Sequence, residues 1–162
     1  MTSATPFTME KIRPCLWYDG EAEAAVDFYV SLFPDSEVQK VTRYTEEGPG
    51  EPGSVLTIEF TLAGRQYMAL NGGPEFRFNE AVSLSVDCGT QEEVDELWDR
   101  FLAGGGEESV CGWLKDRWGL SWQIVPTRLV ELLDDPDPAR VARVFRAMLK
   151  MRKLDVATLE AA

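Results

Sequence analysis

One order of elements occurs twice in the first 126 residues, and it restricts this chain to a narrow set of α+β folds. Each occurrence reads as a strand, an amphipathic helix and three further strands. Residues 12–18 form the first strand, with Pro14, which has no amide to donate, favouring a sheet edge. Asp19-Gly20 opens a helix on which Ala25, Val26, Tyr29, Leu32 and Phe33 make one apolar stripe, and Pro34 stops it. Strands are expected over 38–44, 54–62 and 66–71, with Ala63-Gly64-Arg65 as a hairpin turn. Residues 46–53 hold two prolines and three glycines and read as an exposed loop.

The second occurrence begins with a strand over 81–86. Thr90-Gln91-Glu92-Glu93 has the form of a capping box, in which Thr and Glu satisfy helix-end amides reciprocally. Val94, Leu97, Trp98, Phe101 and Leu102 repeat the spacing of the first helix, and Gly104 to Gly106 end it. Short strands follow near 107–110, 113–115 and 120–125. The expected organisation is one domain over 9–126, built of modules at about 12–71 and 81–126, then a helical tail over 127–162. In that tail Asp137 caps a helix, Pro138 takes its first position, and Val141, Val144, Phe145, Met148 and Leu149 form its apolar face. The face needs cover, either from the body of the same chain or from a second subunit.

Charge narrows the partners. The net charge of −12 argues against nucleic acid, which needs clustered cations. The six cations between Arg140 and Lys153, with no acid among them, read as a solvated helix face or as a basic tail docking on acidic surface. No run approaches the roughly 20 apolar residues that span a bilayer, so no membrane partner is expected. Cys15, Cys88 and Cys111 are odd in number and far apart, which suits reduced thiols in a cytoplasm.

Two runs carry the candidate site. Residues 111–126 hold three of the five tryptophans, and Leu120, Trp122 and Ile124 alternate with Ser121, Gln123 and Val125. A strand of that pattern holds a core on one side and lines a cavity on the other. In residues 70–80, Gly72-Gly73 permits a sharp turn or a close backbone approach, and Phe76 and Phe78 share a side if the segment is extended. This run reads either as a connector plugging the core or as a pocket wall with Asn71 and Glu75 as its polar groups. Cys111 reads as structural, since no histidine exists to serve as its base. Lys115 and Asp116 read as an ion pair at a turn edge. Trp98, spaced with its helix stripe, is core.

The runs Leu16-Trp17-Tyr18-Asp19-Gly20, Leu70 to Phe76, Cys111 to Val125 and Ala147 to Asp155 resemble the PhnB-like family. That family, often labelled 3-demethylubiquinone-9 3-methyltransferase, is a branch of the vicinal oxygen chelate superfamily, alongside glyoxalase I and bleomycin-resistance and extradiol dioxygenase proteins. The resemblance implies a homodimer of paired βαβββ modules whose sheets curl into a cleft, and a divalent metal held by His, Glu or Gln. The ligand positions implied here fall near Pro14, Asn71, Ala81 and Gln123, and the chain has no histidine. Hard cations want carboxylates, so no metal and no cofactor is expected. A cation gripped by Glu75, Asp116 and Gln123 is the alternative, leading to a lyase- or dioxygenase-like enzyme. The methyltransferase label finds no glycine-rich cofactor loop between strand and helix.

The leading expectation is therefore a cytoplasmic homodimer that binds a small planar or aromatic molecule without a metal. Trp17, Phe78, Trp113 and Trp122 would stack on the ligand, and Asn71, Glu75, Ser83, Lys115 and Gln123 would orient it. No catalytic residue is named. An interaction module whose tryptophans fill their own cleft is the third reading.

Overall fold

The computed structural model describes residues 8–162 and divides into two compact units, one up to Arg77 and one from Phe78 to Ala162. In the first unit the elements are β1 (Cys15–Tyr18), α1 (Ala22–Leu32), β2 (Glu37–Arg43), β3 (Val55–Leu62) and β4 (Arg65–Asn71). Their sheet runs β1-β4-β3-β2, with β1 parallel to β4 and the other pairs antiparallel. β1 is an edge strand, as Pro14 just before it requires.

The registers sort each strand into two faces. Leu16, Ala69 and Ile58 stand in one row, with Tyr18 and Phe60 on the same side, and all five are buried. α1 packs on β3 and β4 and buries Ala22, Ala25, Val26, Tyr29 and Leu32, so this is the core face. The opposite, open face carries Cys15, Met68, Glu59 and Lys40 in one row and Trp17, Leu70, Thr57 and Thr42 in the next.

The second unit repeats the scheme with β5 (Ser83–Cys88), α2 (Gln91–Ala103), β6 (Glu107–Glu108), β7 (Trp113–Lys115) and β8 (Ser121–Pro126), ordered β5-β8-β7-β6. β5 starts two residues later than its apolar run suggests. The capping box forms with a shift: Thr90 accepts from the Glu93 amide at 3.2 Å, while the Glu93 carboxylate accepts from Gly89 rather than from Thr90 itself. Leu84, Trp122 and Leu114 face α2, where Phe101 meets the Trp122 ring at 4.9 Å between centroids. Burial of aromatic rings of this size contributes about 1.5–3 kcal/mol each.

The tail comprises α3 (Thr127–Leu133), α4 (Pro138–Met148) and α5 (Val156–Glu160). Leu129, Leu132, Val144, Leu154 and Leu159 form their own core, and Val125 of β8 packs against it. The returning chain is tied to the second unit by backbone bonds from Cys111 and Gly112 to the carbonyls of Met151 and Arg152. Gln91, at the start of α2, accepts from the Val156 amide and donates to the Leu154 carbonyl. Arg152 pairs with Glu108 and Lys153 with Asp95; the Trp98 indole and then Arg152 hold the Glu108 carboxyl below its ordinary value, and Lys153 with Gln91 does so for Asp95. On α4 only Val144 of the expected stripe is buried; Phe145 and Leu149 are 47% and 53% exposed.

Candidate functional site

In the first unit the open face ends in an aromatic pair. Trp17, on β1, donates its indole N–H to the Gly73 carbonyl at 2.8 Å and meets the Phe76 ring edge-on at 4.9 Å between centroids. Gly72 lies directly beneath the Trp17 ring, where any Cβ would collide with it, and Gly73 adopts φ +104. The glycine pair therefore seats the indole and turns the chain so that Phe76 returns to it. Phe76 itself is 62% exposed, so this pair offers apolar surface to solvent. Glu75 is exposed beside it.

Asn71 is committed to the backbone. Its Oδ1 accepts from Ala22, the first amide of α1, at 2.9 Å, and its Nδ2 donates to the Val55 carbonyl at 3.1 Å. Tyr44 donates to the Asn71 carbonyl as well, at 2.6 Å. The residue is a helix cap delivered from β4, a role its position beside two glycines conceals.

In the second unit, the open face carries Ser83, Ser121 and Lys115 in one row and Ser85, Gln123 and Trp113 in the next. Gln123 donates to Ser83 at 2.9 Å. Lys115 pairs with Glu80 at 2.5 Å, and that hydrogen bond holds the Glu80 carboxyl below its ordinary value. The expected Lys115–Asp116 pair does not form. Asp116 turns inward, 3% exposed, where Oδ1 accepts from the Trp118 and Leu120 amides and Oδ2 from the Trp122 indole. Such an Asp-headed turn is built by the carboxylate itself.

Of the residues expected to contact a ligand, Trp17 lies on the open face of the first sheet, and Ser83, Trp113, Lys115 and Gln123 lie on that of the second. Trp122 lies on the other side, 2% exposed beneath α2, as the strand's own alternation with Leu120 and Ile124 requires. Phe78 is half-buried where the second unit begins. Reading by motif missed Arg13 and Glu59. They occupy the open face of the first sheet with 19% and 12% side-chain exposure, and Glu59 alternates with Ile58 and Phe60 in an apolar strand. A charge at that phase of the alternation was the available signal.

The cysteines differ in setting. Cys88 is fully buried, and desolvation pushes its thiol up to about 12. Cys15 is exposed at the β1 edge but has its thiol pushed up by partial burial. Cys111 takes φ +57 and bonds Met151 through its amide. The Arg13 charge works against the upward shift at Cys15, but burial outweighs it.

The donor set does not suit a divalent cation. Both Asp116 oxygens are occupied by N–H donors, and Gln123 offers one neutral amide oxygen where hard cations want carboxylates. Among the described residues no three of His, Cys, Asp or Glu gather into a ligand group. The strand-to-helix turns, Asp19-Gly20-Glu21 and Gly89-Thr90, carry no glycine-rich phosphate or cofactor loop.

Comparison with known proteins agrees with this architecture. The family described as 3-demethylubiquinone-9 3-methyltransferase matches residues 10–125. The chain is 37% identical to the PhnB protein of Bacillus cereus, covering 72% of this chain and 99% of that one, with a TM-score of 0.66. A Pseudomonas aeruginosa protein shares the fold at a TM-score of 0.58 and 16% identity, over 73% of this chain and 98% of its own. No curated protein matches. Matched over most of its length by the family and by a solved PhnB protein, and built from two βαβββ units, the chain belongs to the PhnB-like, 3-demethylubiquinone-9 3-methyltransferase family.

Proposed function

We propose that this protein binds a small planar or aromatic molecule on the open faces of its sheets, without a metal ion. The Trp17–Phe76 pair carries this reading. An indole anchored at one end by Gly73 and flanked by a largely exposed phenylalanine is a rigid apolar surface, with little side-chain entropy left to lose on binding. By itself, the open face of the second sheet offers a surface of the same kind, Trp113 beside Ser83, Lys115 and Gln123, polar groups able to orient a molecule bound there. Trp122 and Asn71 have no part in it, being committed to the core and to α1.

The test is a thermal-shift screen with one- and two-ring aromatic compounds, run on the wild type and on Phe76→Ala. Because Phe76 is exposed, its truncation leaves the fold intact. Compounds that stabilise the wild type lose about ten-fold in affinity in the variant, the effect of about 1.4 kcal/mol of aromatic contact. Equal stabilisation of both proteins would remove this pair from the site.

The protein acts as a homodimer in this reading, with the exposed Phe145 and Leu149 of α4 against a second copy. Arg143, Arg146 and Lys150 flank that apolar strip, and the remainder of the chain is strongly acidic, so a second copy supplies the complementary charge.

A further inference from the structure

The first sheet is wider than the helix that covers it. α1 packs mainly on β3 and β4 and leaves the outer strand, β2, largely bare. A register shift at Gln39 sets Val38 opposite Phe60 and Val41 opposite Ile58, so both valines share the α1 side of the sheet although they are three residues apart. They stay 42% and 43% exposed, beside the buried Val55 and Ile58. With Glu23 and Asp27 of α1 and with Arg43, these four residues line a hollow of about 170 Å³. That is below the roughly 300 Å³ at which small-molecule pockets begin, and it suits inserted side chains instead. Glu23 and Asp27, one turn apart, wall its helical side and have no ion pair among the described residues. Arg43 is turned to the Gly53 carbonyl, so the wall is acidic.

We propose that this hollow receives α4 of a second copy. The inference rests on the dimer placed on α4 above and names the surface that α4 meets. Val141, Phe145 and Leu149 lie at i, i+4 and i+8 and form one stripe, of which Phe145 and Leu149 are 47% and 53% exposed. Arg143, Arg146 and Lys150, at i, i+3 and i+7, make a basic ridge on the flank away from the buried Val144. None of the three pairs with an acid among the described residues. The hollow has the matching asymmetry, an apolar floor with acids along one side. Laid on β2 beside α1, α4 sets Phe145 and Leu149 on Val38 and Val41 and turns its cations to Glu23 and Asp27. It also extends the helical layer over the bare strand. Pairing α4 with α4 of the second copy instead brings two basic ridges together. A two-fold axis makes the contact twice, each copy giving one α4 and receiving another.

Sedimentation of reciprocal charge reversals tests this. Glu23→Lys with Asp27→Lys, and separately Arg146→Glu with Lys150→Glu, are each expected to weaken the dimer by about ten-fold or more, because like charges then face each other across the contact. An equimolar mixture of the two variants is expected to recover a dimer of wild-type affinity, since each α4 then meets a hollow of opposite charge. The chain carrying all four reversals does likewise. A dimer unchanged by Glu23→Lys with Asp27→Lys overturns the hollow as the receiving surface; if Arg146→Glu with Lys150→Glu still dissociates it, α4 stays in the interface against another surface. Failure of the mixture to recover the dimer overturns the pairing of these two surfaces. Reversals that lower the thermal midpoint without changing the mass assign the contact to a single chain and overturn the proposal. A wild type that is monomeric at every concentration tested overturns both this inference and the dimer on which it rests.

Discussion

Asn71 shows how a residue's neighbours in sequence can misstate its role. Beside Gly72-Gly73 it reads as a ligand contact, but the α1 amide and the Val55 carbonyl claim both ends of its side chain. Nothing local reveals this, because both partners are distant along the chain. Asn71→Ala is expected to destabilise the protein by about 1–2 kcal/mol, the loss of a helix cap and a second hydrogen bond, with a lowered midpoint in urea. An unchanged midpoint would contradict the capping role. Trp122 makes the complementary point. Its period-2 partners, Leu120 and Ile124, already assign it to the core, and abundance of tryptophan in the segment is a weaker guide than phase. Trp17 and Gln123 were legible for the same reason: their neighbours on either side are the buried ones.

At the scale of elements, the strands and helices follow from periodicity with small offsets, and Thr90 and Asp137 cap the helices they precede. Less was legible in the tail. The apolar positions of α4 mark a helix, but not which of them find cover within the chain. Val144 does, against Leu129, Leu132 and Leu159, whereas Phe145 and Leu149 stay half-exposed. The strip between α4 and α5 is fixed by backbone bonds and by Gln91, which periodicity does not encode. Phe145→Glu places a charge on this exposed strip without disturbing Val144. Light scattering should show a wild-type dimer converted to monomer, with thermal stability of the monomer near that of the wild type. A variant that keeps the dimeric mass removes α4 from the interface.

Across the whole molecule, the duplicated βαβββ order was the most legible feature, because each unit repeats the same strand order with its first and last strands parallel. What the repeat does not specify is chemistry. A fold does not fix a reaction, and here both oxygens of Asp116 accept from the protein's own N–H groups. The account therefore stands on binding by aromatic and hydrogen-bonding surface alone. The most direct test is to strip the purified protein with a strong chelator and repeat the aromatic thermal-shift screen with and without added manganese, zinc or magnesium. Stabilisation that persists in the chelator and is indifferent to each cation is the predicted result. Stabilisation that vanishes on chelation and returns with one of those ions would contradict it.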